Sequence, residues 1–91
     1  MDIVRKHVVF HGRVQGVGFR YTARLAAKQM GVTGWVRNEY DGTVVMEIQG
    51  RPILVNQVLM RLNTDSYIRI EWMDSKEIPV VEGEKSFRVT F

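Results

Sequence analysis

Ninety-one residues, 45% of them hydrophobic, suffice for one compact domain around one core, but not for a catalytic domain with a separate cofactor domain. The chain has no cysteine, which excludes disulfides, thiolate metal sites and a cysteine nucleophile and permits a reducing compartment. A net charge of +3 and a pI near 9.6 favour anionic partners, yet the cations are scattered, which reads as mild attraction rather than a nucleic-acid footprint.

No apolar run approaches the roughly 18 residues that a bilayer span requires. The start of the chain carries Asp2, Arg5, Lys6 and His7 in place of a signal peptide's apolar core, so a cytoplasmic protein is expected. Residues 3–11 are rich in β-branched side chains. Val4, Val8 and Phe10 fall on one side and Arg5, His7 and His11 on the other, as in a half-buried strand, with Lys6 interrupting the alternation. The run Gly12-Arg13-Val14-Gln15-Gly16-Val17-Gly18-Phe19-Arg20 follows. From 20 to 30 the apolar spacing becomes Ala23, Ala26, Ala27, Met30, the stripe of a helix, with Arg24 and Lys28 on another face and Gly31 as its stop.

Residues 32–38 and 43–49 are the next strands, joined by Glu39-Tyr40-Asp41-Gly42, whose Asp-Gly supplies hairpin turn chemistry. Pro52 suits the first turn of a second helix. Val55, Val58, Leu59 and Leu62 give it an apolar stripe before Asn63-Thr64-Asp65-Ser66 breaks the pattern. A fourth strand near 67–76 alternates Ile68, Ile70 and Trp72 with Arg69, Glu71 and Met73. Beyond a loop with Pro79 and Gly83, a short fifth alternates Phe87, Val89 and Phe91 with Arg88 and Thr90. Met30, Met46, Met60 and Met73 read as core or edge filler, and Trp35 and Trp72 as large core anchors. The order βαββαβ predicts an α+β, ferredoxin-like fold over a single domain, 1–91. It has an antiparallel sheet, two helices on one face and a short fifth strand at the end.

Chemistry concentrates in the glycine run. It is not a Walker A sequence, because no Gly-Lys-Ser/Thr ends it, and Gly16-Val17-Gly18 lacks the third glycine of a dinucleotide fingerprint. Two readings remain for the loop alone: a tight strand-to-helix connection, or a backbone cradle whose N–H groups and helix dipole face an anion. Arg20 weighs toward the second. A cation at a helix N-terminus opposes the macrodipole by roughly 0.3 to 1 kcal/mol, a cost that an anion between it and the amides reverses. Asn38 ends a strand just before the hairpin turn. It either bonds its own backbone there or holds a water for attack, since its amide both donates and accepts. His7 and His11 fall on the face opposite Val8 and Phe10 with no triad partner and no third metal ligand, so exposed strand histidines are expected.

These residues resemble those of a known family. GRVQGVGFR at 12–20 is similar to the phosphate-loop signature of the acylphosphatases, GWVRNEYDGTV at 34–44 is similar to their second signature, and the resemblance spans the whole chain. It implies a stand-alone, common-type hydrolase of carboxyl-phosphate anhydrides, with acyl phosphate and inorganic phosphate as its small-molecule partners. It also implies no metal or organic cofactor; from the scattered cations and the lack of an apolar span no nucleic-acid or membrane partner is expected, and a monomer is expected. By that resemblance the backbone of Gln15, Gly16, Val17, Gly18, Phe19 and Arg20 binds the phosphoryl group together with the Arg20 side chain, and Asn38 positions the water. The chain departs from many relatives at 63–66, where they carry a Gly-Pro segment. Two rivals stay open: the acylphosphatase-like front domain of large carbamoyl-transfer proteins, and an RNA-recognition domain of the same topology. Against the latter, residues 43–48 offer no stacking rings.

Overall fold

The computed structural model describes residues 2–91. β1 (Val4–Arg13), α1 (Phe19–Met30), β2 (Thr33–Asn38), β3 (Val44–Gly50), α2 (Pro52–Asn63), β4 (Arg69–Ile78) and β5 (Phe87–Val89) follow one another in the expected order. They build a five-stranded sheet ordered β4-β1-β3-β2-β5. β1 pairs antiparallel with both β3 and β4, and β2 antiparallel with β3. β5 runs parallel to β2, so the sheet is mixed rather than wholly antiparallel. The reason is topological: β4 lies at one edge, and residues 79–86 carry the chain to the other edge, where it re-enters in the direction of β2.

One face of the sheet carries the core. Val8 and Phe10 of β1, Val36 of β2 and Val44, Met46 and Ile48 of β3 are fully buried against Ala23, Ala26 and Ala27 of α1 and Val55, Val58 and Leu62 of α2. The alanines let α1 lie close to the strands, and Phe19 at its start packs on Phe10 with ring centroids 4.8 Å apart. Gly31 ends α1 in the left-handed conformation, with Val32 N–H bonded to the Ala27 carbonyl at 3.0 Å.

The two tryptophans are not core anchors. Trp35 lies half-buried on the face without helices, edge-on to His7 and beneath the Arg37 guanidinium, 4.9 Å from ring to cation. Trp72 is 55% exposed. In the β1–β4 ladder Gly12 opposes Ile70 while His11 opposes Trp72, so Glu71 is an extra residue that reverses the alternation. Gly12, at φ 130°, makes room for this bulge, because a Cβ there would lie 2.3 Å from the Arg69 carbonyl oxygen. Ile70 therefore packs on the core, and Trp72 stacks on His11 across the open face at 4.3 Å. Met46 is core and Met30 packs against it, but Met60 and Met73 are exposed.

At the start of β1 the open face holds a buried cation. Arg5, 2% exposed, donates to Glu47 (3.0 Å), Gln49 (3.1 Å) and both carboxylate oxygens of Glu84 (2.8 and 3.3 Å). Gln49 in turn exchanges two hydrogen bonds with the backbone of Val81. Residues 79–86 are thus strapped across that end of the sheet. Burial opposes the charge on Arg5, yet the bonds to Glu84 and Glu47 raise its pKa.

Candidate active site

β1, β2 and β5 all run toward the opposite end of the sheet, and there the glycine loop closes over the strand ends. Gly16 (φ 72°) and Gly18 (φ 79°) take the left-handed backbone expected of a cradle, and a Cβ on either would meet no atom within 4 Å. Their requirement is conformational, not steric. Gly18 caps α1 without a side chain, and the first turn holds no acidic residue. The first helical hydrogen bond runs from Thr22 N–H to the Gly18 carbonyl, so the amides of Phe19, Arg20 and Tyr21 precede the ladder at the positive end of the dipole.

A cavity of about 410 Å³ opens here, walled by Gly16, Gly18, Phe19 and Arg20 on the loop side and by Asn38, Val89 and Phe91 on the strand side. A second, of about 490 Å³, shares Arg20, Asn38 and Phe91 with it and extends toward Arg37, Glu39 and Tyr40. The structure therefore brings Arg20 and Asn38 together. Among the described residues no carboxylate pairs with Arg20. Its guanidinium instead lies over the Phe91 ring, 5.4 Å from the centroid. Asn38 Oδ1 is buried and, among the described residues, accepts no hydrogen bond. A buried acceptor in that state costs about 1–3 kcal/mol until a donor reaches it.

The hairpin after Asn38 is internally fixed. Asp41 Oδ1 accepts from the Thr43 hydroxyl at 2.6 Å and from Thr43 N–H at 3.0 Å, and these bonds, the hydroxyl's first, hold its carboxyl below the usual range. Glu39 also bonds Arg37 Nε at 2.7 Å.

Of the loop residues singled out in the sequence, Gly16, Gly18, Phe19 and Arg20 line the cavity, whereas Gln15 and Val17 do not. Val17 packs against the core, and the Gln15 side chain reaches the hairpin instead. His7 and His11 line neither cavity; each meets a carboxylate on the open face, His7 with Glu47 at 2.8 Å and His11 with Asp74 at 3.0 Å. Among the described residues no three His, Asp or Glu side chains gather as metal ligands. Phe91 was legible only as one more residue of an alternating strand; nothing in its neighbours signals that it walls the site.

Fold and site together define a ferredoxin-like α+β protein whose glycine loop borders a cavity that Arg20 and the buried, donor-less Oδ1 of Asn38 also line. The acylphosphatase family model matches residues 6–89. An acylphosphatase of Ligilactobacillus salivarius is 40% identical over 86 residues, covering 92% of this chain and 94% of that protein. One of Geobacillus thermodenitrificans is 40% identical over 88 residues, covering 96% and 94%. Among solved structures, the acylphosphatase of Bacillus subtilis superposes with a TM-score of 0.89 at 26% identity, covering 97% of this chain and 99% of that one. The chain belongs to the acylphosphatase family and is an enzyme. No helix among the described residues is long and apolar enough to cross a membrane.

Proposed function

We propose that this protein, acting as one domain, hydrolyses the carboxyl-phosphate bond of acyl phosphates to a carboxylate and inorganic phosphate. The main-chain N–H groups of Gln15 to Arg20 hold the phosphoryl oxygens, Arg20 grips two of them with its planar fork, and Asn38 holds the attacking water. The observation that carries this reading is the buried, donor-less Oδ1 of Asn38 in the wall of the cavity that Arg20 and the loop glycines also line. A water is the small donor that such an acceptor takes, and it would stand beside the anion site.

The water oxygen bonds to phosphorus while the bond from phosphorus to the carboxyl oxygen breaks, its electron pair leaving with the carboxylate. The water proton passes to phosphate oxygen or solvent. A carboxylic acid has a pKa near ~4, so the leaving group needs no general acid. A loose phosphoryl-transfer transition state asks for little deprotonation of the water, so positioning and charge stabilisation suffice. On this reading the reaction calls on no histidine, no covalent intermediate and no metal. We further propose a cytoplasmic monomer acting on a small molecule, with no nucleic-acid partner; the cysteine-free composition suits a reducing compartment. Hydrolysis of benzoyl phosphate by the purified protein, with competitive inhibition by inorganic phosphate, is the expected result. No turnover above the spontaneous rate would refute the reading.

A further inference from the structure

Gln15 adjoins the first loop glycine, but its side chain takes no part in the cavity wall. Its amide nitrogen donates to the carbonyl of Glu39 at 2.7 Å and to that of Thr43 at 2.9 Å. Glu39 N–H donates to the same Thr43 carbonyl, also at 2.9 Å. One primary amide thus uses both of its N–H bonds on the two residues that close the mouth of the hairpin, and Thr43 O is saturated with one donor per lone pair. Glu39 directly follows Asn38 in the chain.

The sheet does not supply this link. The β1–β3 ladder ends at Phe10 opposite Val44, and the β2–β3 ladder ends at Asn38 opposite Val44. Beyond them, among the described residues, the two bonds from Gln15 are the hydrogen bonds that join the glycine loop to the hairpin. The hairpin turn, by contrast, does not depend on Gln15, because Asp41 and Thr43 fasten it on their own. Losing the Gln15 amide therefore leaves both halves of the site formed and frees their separation.

We infer that Gln15 is a positioning residue, whose side chain fixes the distance between the anion-binding loop and Asn38 so that the water held there lies in line with the breaking bond. The kinetic consequence rests on the hydrolase reading above; the structural one does not. Misplacing an attacking group by about 1 Å can cost on the order of 10²-fold in rate. Binding of an anion by the loop and Arg20 needs no alignment with Asn38.

Gln15→Met keeps the length of the side chain and removes both donors. The expected result is a kcat for benzoyl phosphate lowered roughly 10- to 100-fold, with the inhibition constant of inorganic phosphate within about twofold of the wild type. In an Asn38→Ala background the same change should have almost no further effect, because Gln15 acts through Asn38. Phosphate titration followed by NMR supplies a readout apart from turnover. Amides 16–20 should shift as in the wild type, while the Asn38 side-chain amide loses its response. Should Gln15→Met fail to fold, Gln15→Glu, which sets carboxylate oxygens against the two carbonyls, takes its place with the same expectations. Phosphate affinity falling as far as kcat would show that the Gln15 side chain serves the anion site itself rather than the spacing to Asn38, and would overturn the inference. So would an unchanged kcat, or losses that multiply with Asn38→Ala. A wild type inert toward benzoyl phosphate defeats the hydrolase reading instead, and the NMR response of Asn38 still decides the positioning.

Discussion

Arg5 and Arg20 stand at opposite ends of the sheet and have opposite surroundings. Arg5 is buried, and its guanidinium meets two carboxylates and an amide oxygen. Arg20 is partly exposed, meets no carboxylate among the described residues, and rests on an aromatic ring. The first cation is saturated by the protein, so its removal leaves buried charge behind; the second lines a cavity it shares with Asn38 and, on the function proposed above, grips the phosphoryl oxygens. An arginine's partners, more than its presence, mark it as a structural cation.

Exchanging the fates of the two arginines tests the contrast most severely. Arg20→Ala should fold normally and lower kcat/KM for benzoyl phosphate by on the order of 10³-fold, the upper range for loss of one charge-stabilising donor. Arg5→Met should do the reverse. With Glu84 left unpaired and Glu47 left to His7 alone, urea unfolding should show a loss of about 3–5 kcal/mol, while the protein that remains folded keeps the wild-type kcat. A large catalytic defect in Arg5→Met, or a large stability defect in Arg20→Ala, would break the comparison. Asn38→Ala should cost about 10²-fold in kcat, and thermal melting should reveal no destabilisation, since the buried oxygen it removes has no protein donor to lose.

Glu47 sharpens the structural end. Burial pushes its carboxyl up, but the bonds from His7 and Arg5 outweigh this and hold it below its ordinary value of 4.5. A carboxyl depressed in the folded state contributes stability above its unfolded-state pKa and loses it as pH falls through the folded one. Glu47→Gln should accordingly cost about 1–2 kcal/mol at neutral pH, and the gap to the wild type should close in urea titrations carried out progressively below that range. A gap that widens in acid would contradict the assignment. The smallest effect belongs to Trp72→Ala. Removing an exposed stack on His11 should shift stability by no more than about 0.5–1.5 kcal/mol and leave turnover unchanged.

What the sequence displays and what it hides follow from the range of the interactions. Both helices, the hairpin and the glycine loop are written in local spacing, and they appear where periodicity and turn residues put them. Arg5 is different: Glu47, Gln49 and Glu84 lie 42, 44 and 79 residues away, so no window of sequence reveals that a cation on a strand is buried. Trp72 was misread for a related reason. Alternation across 68–73 holds only without a bulge, and the bulge is set by Gly12 on another strand. The partners of Gln15 also lie outside any local window, at 24 and 28 residues, so its residue type pointed to the loop while its side chain serves the hairpin.

The same bulge matters at the rim of the sheet. β4 is ten residues long and paired on one side only, a length at which free N–H and C=O groups could template another chain. Arg69, Glu71, Asp74, Lys76 and Glu77 place charge along half of it, and the irregularity at Glu71 breaks its straight run. The far rim is β5, three residues in length and too short to recruit a neighbour. Both rims of the sheet thus carry features that discourage edge-to-edge joining.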